Sequence, residues 1–346
     1  MFSSIQKIFK RIAVILGAVL LSLFLLEGGI RLFYSFKFRP KGVSHIPASK
    51  TYRIAENKNI KYELIPESKA KVDGITYKIN AFGFRDKKYR VRKDQEQRII
   101  FAGDSLTYGW CLPLEKTYHK QLEDRLKAGG YAVEVMGMGV VGYNLVQEYF
   151  LIKDHALRFS PDLVVLQIGP NDFERTVDIT LHGKTNKFVL IPYHDLSIPY
   201  MLKKGGFSRF LMKSSHLFRF INLRIFWLKK KKDPDFAPKD VNLLGEEQAF
   251  HYLEKIKDLL DSQGIPLAVV IFPYRKIEPS YIYAGLTQKL KRFLEEKKIP
   301  FLDLYQALNG KKNQDIWIDR IHPNSKGNTI VAEKIEEFII PLLYPK

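Results

Sequence analysis

The chain has 346 residues, 46% of them apolar and 13% aromatic, which is enough for a full hydrophobic core and excludes a disordered or fibrous polymer. Its 56 lysines and arginines exceed its 37 aspartates and glutamates by 19, a balance that favours anionic surroundings without choosing among lipid, acidic polymer and nucleic acid. A single cysteine, Cys111, excludes an intramolecular disulfide framework and a cysteine-cluster zinc site.

After a short tail (1–11) the first element is the uncharged run Ile12 to Leu26, preceded by Lys7, Lys10 and Arg11. The apolar character resumes past Glu27 through Ile30, Leu32 and Phe33, so a transmembrane helix of about 20 residues is expected over 12–33. A cleaved signal peptide would end in a small-x-small site, and LLEGGIRLF offers none. Basic residues flank the run on both sides, with Arg31, Lys37, Arg39 and Lys41 following it, so charge counting does not orient it. A short amino end before a large carboxy-terminal domain favours a single-pass membrane protein with that domain outside the cytoplasm. Residues 34–97 carry Pro40, Pro47, Pro66, an Asp73-Gly74 turn signal and alternation in ITYKINAFGF, which predicts a linker and one or two hairpins.

From residue 98 to the end the pattern becomes strand, helix, strand. Short β-rich runs occur at Arg98 to Gly103, Ala132 to Gly137, Asp162 to Gly169, Pro266 to Phe272 and Pro300 to Tyr305. Helix-length segments lie at Leu114 to Ala128, Asn144 to Phe159, Leu244 to Ser262, Gly285 to Lys297 and Ser325 to Leu342. Parallel neighbours need crossover helices, so the expected fold class is α/β, a three-layer α/β/α sandwich around a mostly parallel five-stranded sheet, with the amino-terminal transmembrane helix in addition. Ligands collect at the carboxyl ends of such strands, so the residues following each strand are the ones to read for chemistry.

Those residues are Gly103-Asp104-Ser105-Leu106, Gly137-Met138-Gly139, Gly169-Pro170-Asn171-Asp172 and, well after the last strand, Asp319-Arg320-Ile321-His322. Each alone reads as a turn or cap. Together they supply what acyl transfer needs. Ser105 is the candidate nucleophile and His322 the base that takes its proton, with Asp319 three residues earlier to fix the imidazole and stabilise its cationic form. The backbone N–H groups of Ser105 and Gly139 and the side-chain amide of Asn171 are candidates for an oxyanion hole. Asp104 and Asp172 are expected to brace the nucleophile turn and the asparagine loop through side-chain to backbone bonds. Cys111, six residues past Ser105, is expected at most to border the pocket, and no metal or other cofactor is expected.

In these motifs the chain resembles the SGNH, or GDSL, hydrolase family, whose four signature residues map onto Ser105, Gly139, Asn171 and His322. The resemblance covers roughly Arg98 to Tyr344, and INAFGFRD (Ile79 to Asp86) with the apolar anchor is similar to membrane-tethered members. It implies a flavodoxin-like sandwich and serine-dependent ester hydrolysis. One departure is Gly137, where the family often carries asparagine. The serine is not in a Gly-x-Ser-x-Gly context, so the nucleophile elbow of α/β-hydrolases is not supported.

Between about 173 and 247 the sandwich pattern breaks for an insertion that is both basic and aromatic. Its stretch Phe207 to Lys232 ends in four lysines and reads either as a helical cap on the sandwich or as a segment lying on the membrane surface beside the anchor. The favoured function is a membrane-anchored esterase that forms an acyl-Ser105 intermediate, with an acylated glycan or lipid as substrate class. The alternatives are an O-acyltransferase using the same triad on a polysaccharide, and a basic binding protein on a hydrolase scaffold. No nucleic-acid reading module accompanies the basic residues, so no nucleic-acid partner is expected. The sequence leaves the oligomeric state open.

Overall fold

The structure, a computed structural model, describes residues 2–37, 51–72, 74–91, 95–173, 181–182, 187–188, 215, 217–218, 221, 243–275, 284–309 and 315–344. The chain divides into two compact units, one formed by Met1–Gly42 and Tyr193–Val241, the other by Val43–Pro192 and Asn242–Lys346.

In the larger unit, five apolar runs form a parallel sheet: β5 (Gln97–Gly103), β6 (Val133–Gly139), β7 (Leu163–Ile168), β10 (Leu267–Ile271) and β11 (Phe301–Asp303). Their spatial order is β11-β10-β7-β5-β6, and every neighbouring pair is parallel. Taken in chain order this is the flavodoxin-like 2-1-3-4-5 arrangement. The strand order reverses between β5 and β7, so a ligand crevice is expected at their carboxyl ends.

Both faces of the sheet are covered, which is why its strands are apolar on both sides. Ile99, Phe101, Val135, Val165 and Val270 point to one core, closed by α3 (Tyr118–Ala128) through Leu122 and Leu126 and by α8 (Ser325–Leu343) through Val331, Ile335 and Ile339. Ile100, Met136, Val164, Leu166 and Val269 point to the other, closed by α4 (Leu145–Asp154), α5 (Leu243–Ser262) and α6 (Ala284–Glu296). Two short helices complete the described set, α2 (Ser105–Tyr108) and α7 (Tyr305–Asn309). The run expected as one helix over Asn144 to Phe159 breaks at His155 and continues as a 3₁₀ turn, Ala156–Phe159.

The segment before the sheet is more than a connector. Two antiparallel ladders, β1 (Tyr52–Ile54) with β2 (Tyr62–Leu64) and β3 (Lys69–Val72) with β4 (Ile75–Lys78), bring Tyr52, Tyr62, Tyr77, Ile79, Phe84 and Tyr89 into the second of these cores. The alternation that suggested hairpins thus serves burial against the α/β layers, where it gives a strand a packed face. A further pair, β8 (Leu181–His182) with β9 (Lys187–Phe188), lies within the stretch read as an insertion.

The smaller unit contains α1 (Phe2–Lys37), whose span Lys10–Leu32 is long and apolar enough to cross a membrane or to serve as a signal sequence. Within that span most of the described apolar side chains are exposed, Val14 and Phe24 by more than 70%. Glu27 on this helix accepts hydrogen bonds from Arg31 (2.7 Å), from the Ser215 hydroxyl (2.8 Å) and from the Leu217 amide (2.8 Å). Ser215 in turn accepts the Phe218 amide at 3.0 Å, so a carboxylate from α1 and a serine together cap the start of a helical turn. Of the basic aromatic stretch 207–232, only Ser215, Leu217, Phe218 and Ile221 are among the described residues.

Candidate active site

The nucleophile turn is built at the end of β5. Gly103 has no room for a side chain, since a Cβ there would lie 2.4 Å from the Gln167 side-chain oxygen and 2.5 Å from the Thr107 hydroxyl. Asp104 then caps α2 by accepting the Leu106 amide at 2.9 Å, and Gln167 on β7 accepts the Asp104 amide at 3.0 Å. Ser105 is the first residue of that one-turn helix and is 8% exposed.

Asn171 follows β7 on the 3₁₀ turn Pro170–Phe173, whose entry is fixed by Asp172 accepting the Gly169 amide at 2.6 Å. Its Nδ2 donates to Asp104 Oδ2 at 2.5 Å, which leaves the second Nδ2 hydrogen for another acceptor. Ser105 and Asn171 therefore stand on either side of the switch point. Burial pushes the Asp104 carboxyl up from its ordinary value, against the opposing pull of the Leu106 amide and Asn171.

The third contribution comes from the loop before α8, closed by a bridge between Trp317 and Pro323 and by Ile318 N donating to His322 O at 2.8 Å. Asp319 sits at its tip and turns the chain by accepting the Ile321 and His322 amides on Oδ1 at 2.7 and 2.8 Å. Its Oδ2 lies 2.8 Å from His322 Nδ1, and His322 Nε2 lies 2.9 Å from Ser105 Oγ. Burial alone would raise the Asp319 carboxyl, but the bonds from His322 and Ile321 outweigh it and hold it at about 2. The three residues thus form a continuous hydrogen-bonded chain across 217 positions of sequence, the arrangement that lets an imidazole accept a hydroxyl proton while a carboxylate fixes its tautomer.

The second motif is placed differently from the expectation. Gly137 and Gly139 both lie inside β6. A Cβ on Gly137 would lie 2.5 Å from His119 Nε2, and one on Gly139 would lie 2.2 Å from the Tyr108 backbone nitrogen. These glycines admit close neighbours, and the His119 ring occupies the space beside Gly137. The turn that the pair suggested comes later, at Gly142, which has a φ of +78°. An asparagine side chain at 137 would have no space while His119 is there.

A small, half-open depression lies beside the triad, lined by Ser105, Leu106, Trp110, Leu112, Phe272 and Pro323 among others. Cys111 is not part of this lining; its amide donates to Tyr77 OH at 3.1 Å. The sequence reading missed Trp110, whose ring centroid lies 6.4 Å from that of His322, and Arg85, which reaches the loop carrying Trp110. The only trace of the latter was the arginine in INAFGFRD.

The sequence profile of the GDSL-like Lipase/Acylhydrolase family matches residues 101–330. An arylesterase of Vibrio mimicus is 31% identical over 80 residues, 22% of this chain and 38% of that protein. A spore germination lipase of Bacillus licheniformis is 27% identical over 89 residues, 24% of this chain and 42% of that protein. The chain thus spans less than half the length of either relative. Among solved structures, an acetyl xylan esterase is similar with a TM-score of 0.43 and 20% identity, covering 70% of this chain and all of that one.

Proposed function

The chain belongs to the GDSL-like lipase/acylhydrolase family, and from that premise we propose that it is a serine esterase working through an acyl-Ser105 intermediate. The observation that carries the reading is the Ser105–His322–Asp319 chain, with separations of 2.9 and 2.8 Å. His322 Nε2 takes the hydroxyl proton as Ser105 Oγ bonds to the ester carbonyl carbon. The proton then passes to the departing alcohol, and water repeats the sequence in reverse to free the acid. The negative oxygen of each tetrahedral intermediate faces the Ser105 N–H, the free hydrogen of Asn171 Nδ2 and a backbone N–H of the 139–142 segment. Gly139 is the donor expected from sequence.

The exposed apolar span Lys10–Leu32 supports a single-pass anchor; the extracytoplasmic side of the catalytic unit is part of the proposal and is read by a reporter fused after Lys346. Glu27's bonds put Ser215 and Leu217, two residues of the insertion, beside that helix. The proposed substrates are accordingly acyl esters of envelope glycans or lipids.

The test is hydrolysis of short-chain nitrophenyl esters by the full chain in detergent. Ser105→Ala and His322→Ala are expected to lower kcat by about 10⁴-fold or to background. Activity that persists in Ser105→Ala would remove the serine from the chemistry. Transfer of the acyl group to an added sugar, at the expense of free acid, would make the protein an acyltransferase.

A further inference from the structure

Arg85 is 1% exposed, yet it belongs to the segment before the sheet and touches no triad residue in the described contacts. Its neighbours in INAFGFRD explain how it is delivered. Asn80 accepts the amides of Phe82 and Phe84 and donates to Lys87 O, and Gly83 turns the chain at a φ of +82°. Asp86 then pins the segment to β6 by accepting the Gly137 amide at 2.8 Å.

From this turn the guanidinium reaches the loop behind the pocket. Nη1 donates to Tyr108 O at 2.9 Å and Gly109 O at 2.6 Å, and Nη2 donates to Leu112 O at 2.5 Å. The cation also lies 4.4 Å from the centroid of the Tyr77 ring. Three carbonyls meet on one planar donor where the chain leaves the helix: α2 ends after one turn, both Gly109 (φ +74°) and Cys111 (φ +59°) are left-handed, and the loop's own bond there is Leu112 N donating to Gly109 O at 3.2 Å. A left-handed cysteine is costly and persists only where its surroundings impose it. The same loop supplies Trp110 and Leu112 to the pocket wall, and the Trp110 amide donates to the carbonyl of Ser105 at 3.0 Å.

We propose that Arg85 is a positioning residue that sets the depth of the acyl pocket, holding residues 108–112 so that Trp110 and Leu112 close it around a short acyl group such as acetyl. This rests on Ser105 being the nucleophile. The chain then discriminates against long acyl esters by a wall whose support comes from outside the α/β sandwich. Lysine at 85 does not substitute, because a single ammonium cannot span three carbonyls in the fork geometry of a guanidinium.

The experiment compares nitrophenyl acetate and nitrophenyl octanoate with the full chain in detergent, for wild type, Arg85→Lys, Arg85→Gln, Trp110→Leu and the Arg85→Gln/Trp110→Leu double variant. Labelling by a fluorophosphonate counts competent Ser105. Arg85→Gln is expected to raise KM for acetate about tenfold and to shift the octanoate-to-acetate ratio of kcat/KM at least about fivefold toward octanoate, with kcat per labelled site within about threefold of wild type. Arg85→Lys behaves like Arg85→Gln, and the double variant is no worse than the more affected single one. An unchanged ratio, an equal loss on both esters, or singly multiplicative effects would overturn the proposal. If Arg85→Gln does not fold, Leu112→Ala opens the same wall with Arg85 in place and must shift the ratio in the same direction, or the proposal fails. Wild type that resists labelling, or labelling that survives Ser105→Ala, would instead refute the nucleophile reading.

Discussion

Asp319 does two jobs with its two oxygens: Oδ1 folds its own loop by accepting two amides, and Oδ2 faces the imidazole. Asp319→Asn keeps an acceptor for the amides but presents an amide group where a carboxylate stabilised the imidazolium. Such a variant is expected to fold and to lose about 10³- to 10⁴-fold in kcat, read by steady-state hydrolysis. The Gly139→Ala variant has a different expected signature. Its added methyl would meet a backbone nitrogen at 2.2 Å, which no rotamer can relieve, so it should lower the yield of folded protein rather than kcat alone, as measured by thermal unfolding of the purified fraction. The pairing of Asp319 with His322 was legible in sequence because the two are three residues apart and their loop closes on itself. The strand runs through the glycine pair where a turn alone was the plain reading, because a missing Cβ serves a turn and a close approach equally well, and only the position of His119 and of the Tyr108 backbone tells which. Arg85 was illegible for a related reason: its partners are three carbonyl oxygens, and every residue type has one.

At the scale of elements, the segment before the sheet is fastened to α3 and β6 by charge as well as by apolar packing. Arg98, at the start of β5, is fully buried; it donates to Glu134 on β6 from Nε at 2.9 Å and from Nη2 at 2.7 Å, and holds the segment by donating from Nη2 to Arg90 O at 3.0 Å. Lys87 bridges to Glu123, which also pairs with Lys120 and Lys127. Burial by itself would raise the Glu123 carboxyl, but the ammonium groups of Lys120 and Lys87 outweigh it and bring it from an ordinary 4.5 to about 2. A carboxyl depressed in the folded chain adds stability that is complete above its unfolded value and is lost as pH falls toward the folded one. The melting temperature of Glu123→Gln is therefore expected to lie a few degrees below wild type at pH 7, with the gap narrowing between pH 4.5 and 2. A gap that held constant into acid would show that the pairing contributes nothing. The five sheet strands were readable because strands buried on both faces are nearly all apolar. The four short strands before them gave a weaker signal, since their packing partners lie in the α/β layers.

For the molecule as a whole, the proposed anchor makes its own prediction: among the described residues α1 is long and apolar enough to cross a membrane, and an excess of 19 positive charges is compatible with an anionic lipid surface. The full chain is expected to stay with membranes after washing with high salt or alkali and to leave them only in detergent. A reporter that works only outside the cytoplasm, fused after Lys346, should be active; a silent reporter would refute an exported catalytic unit.

Glu27 carries a practical corollary for anyone who wishes to study the insertion. Cutting away residues 2–37 to gain solubility would also discard the carboxylate that receives the Ser215 hydroxyl and the Leu217 amide. Ser215, Leu217 and Phe218 would then lose the acceptor that completes their turn, and a trimmed protein is expected to differ from the full chain in that turn. Lipid nanodiscs holding the intact chain keep that scaffold in place.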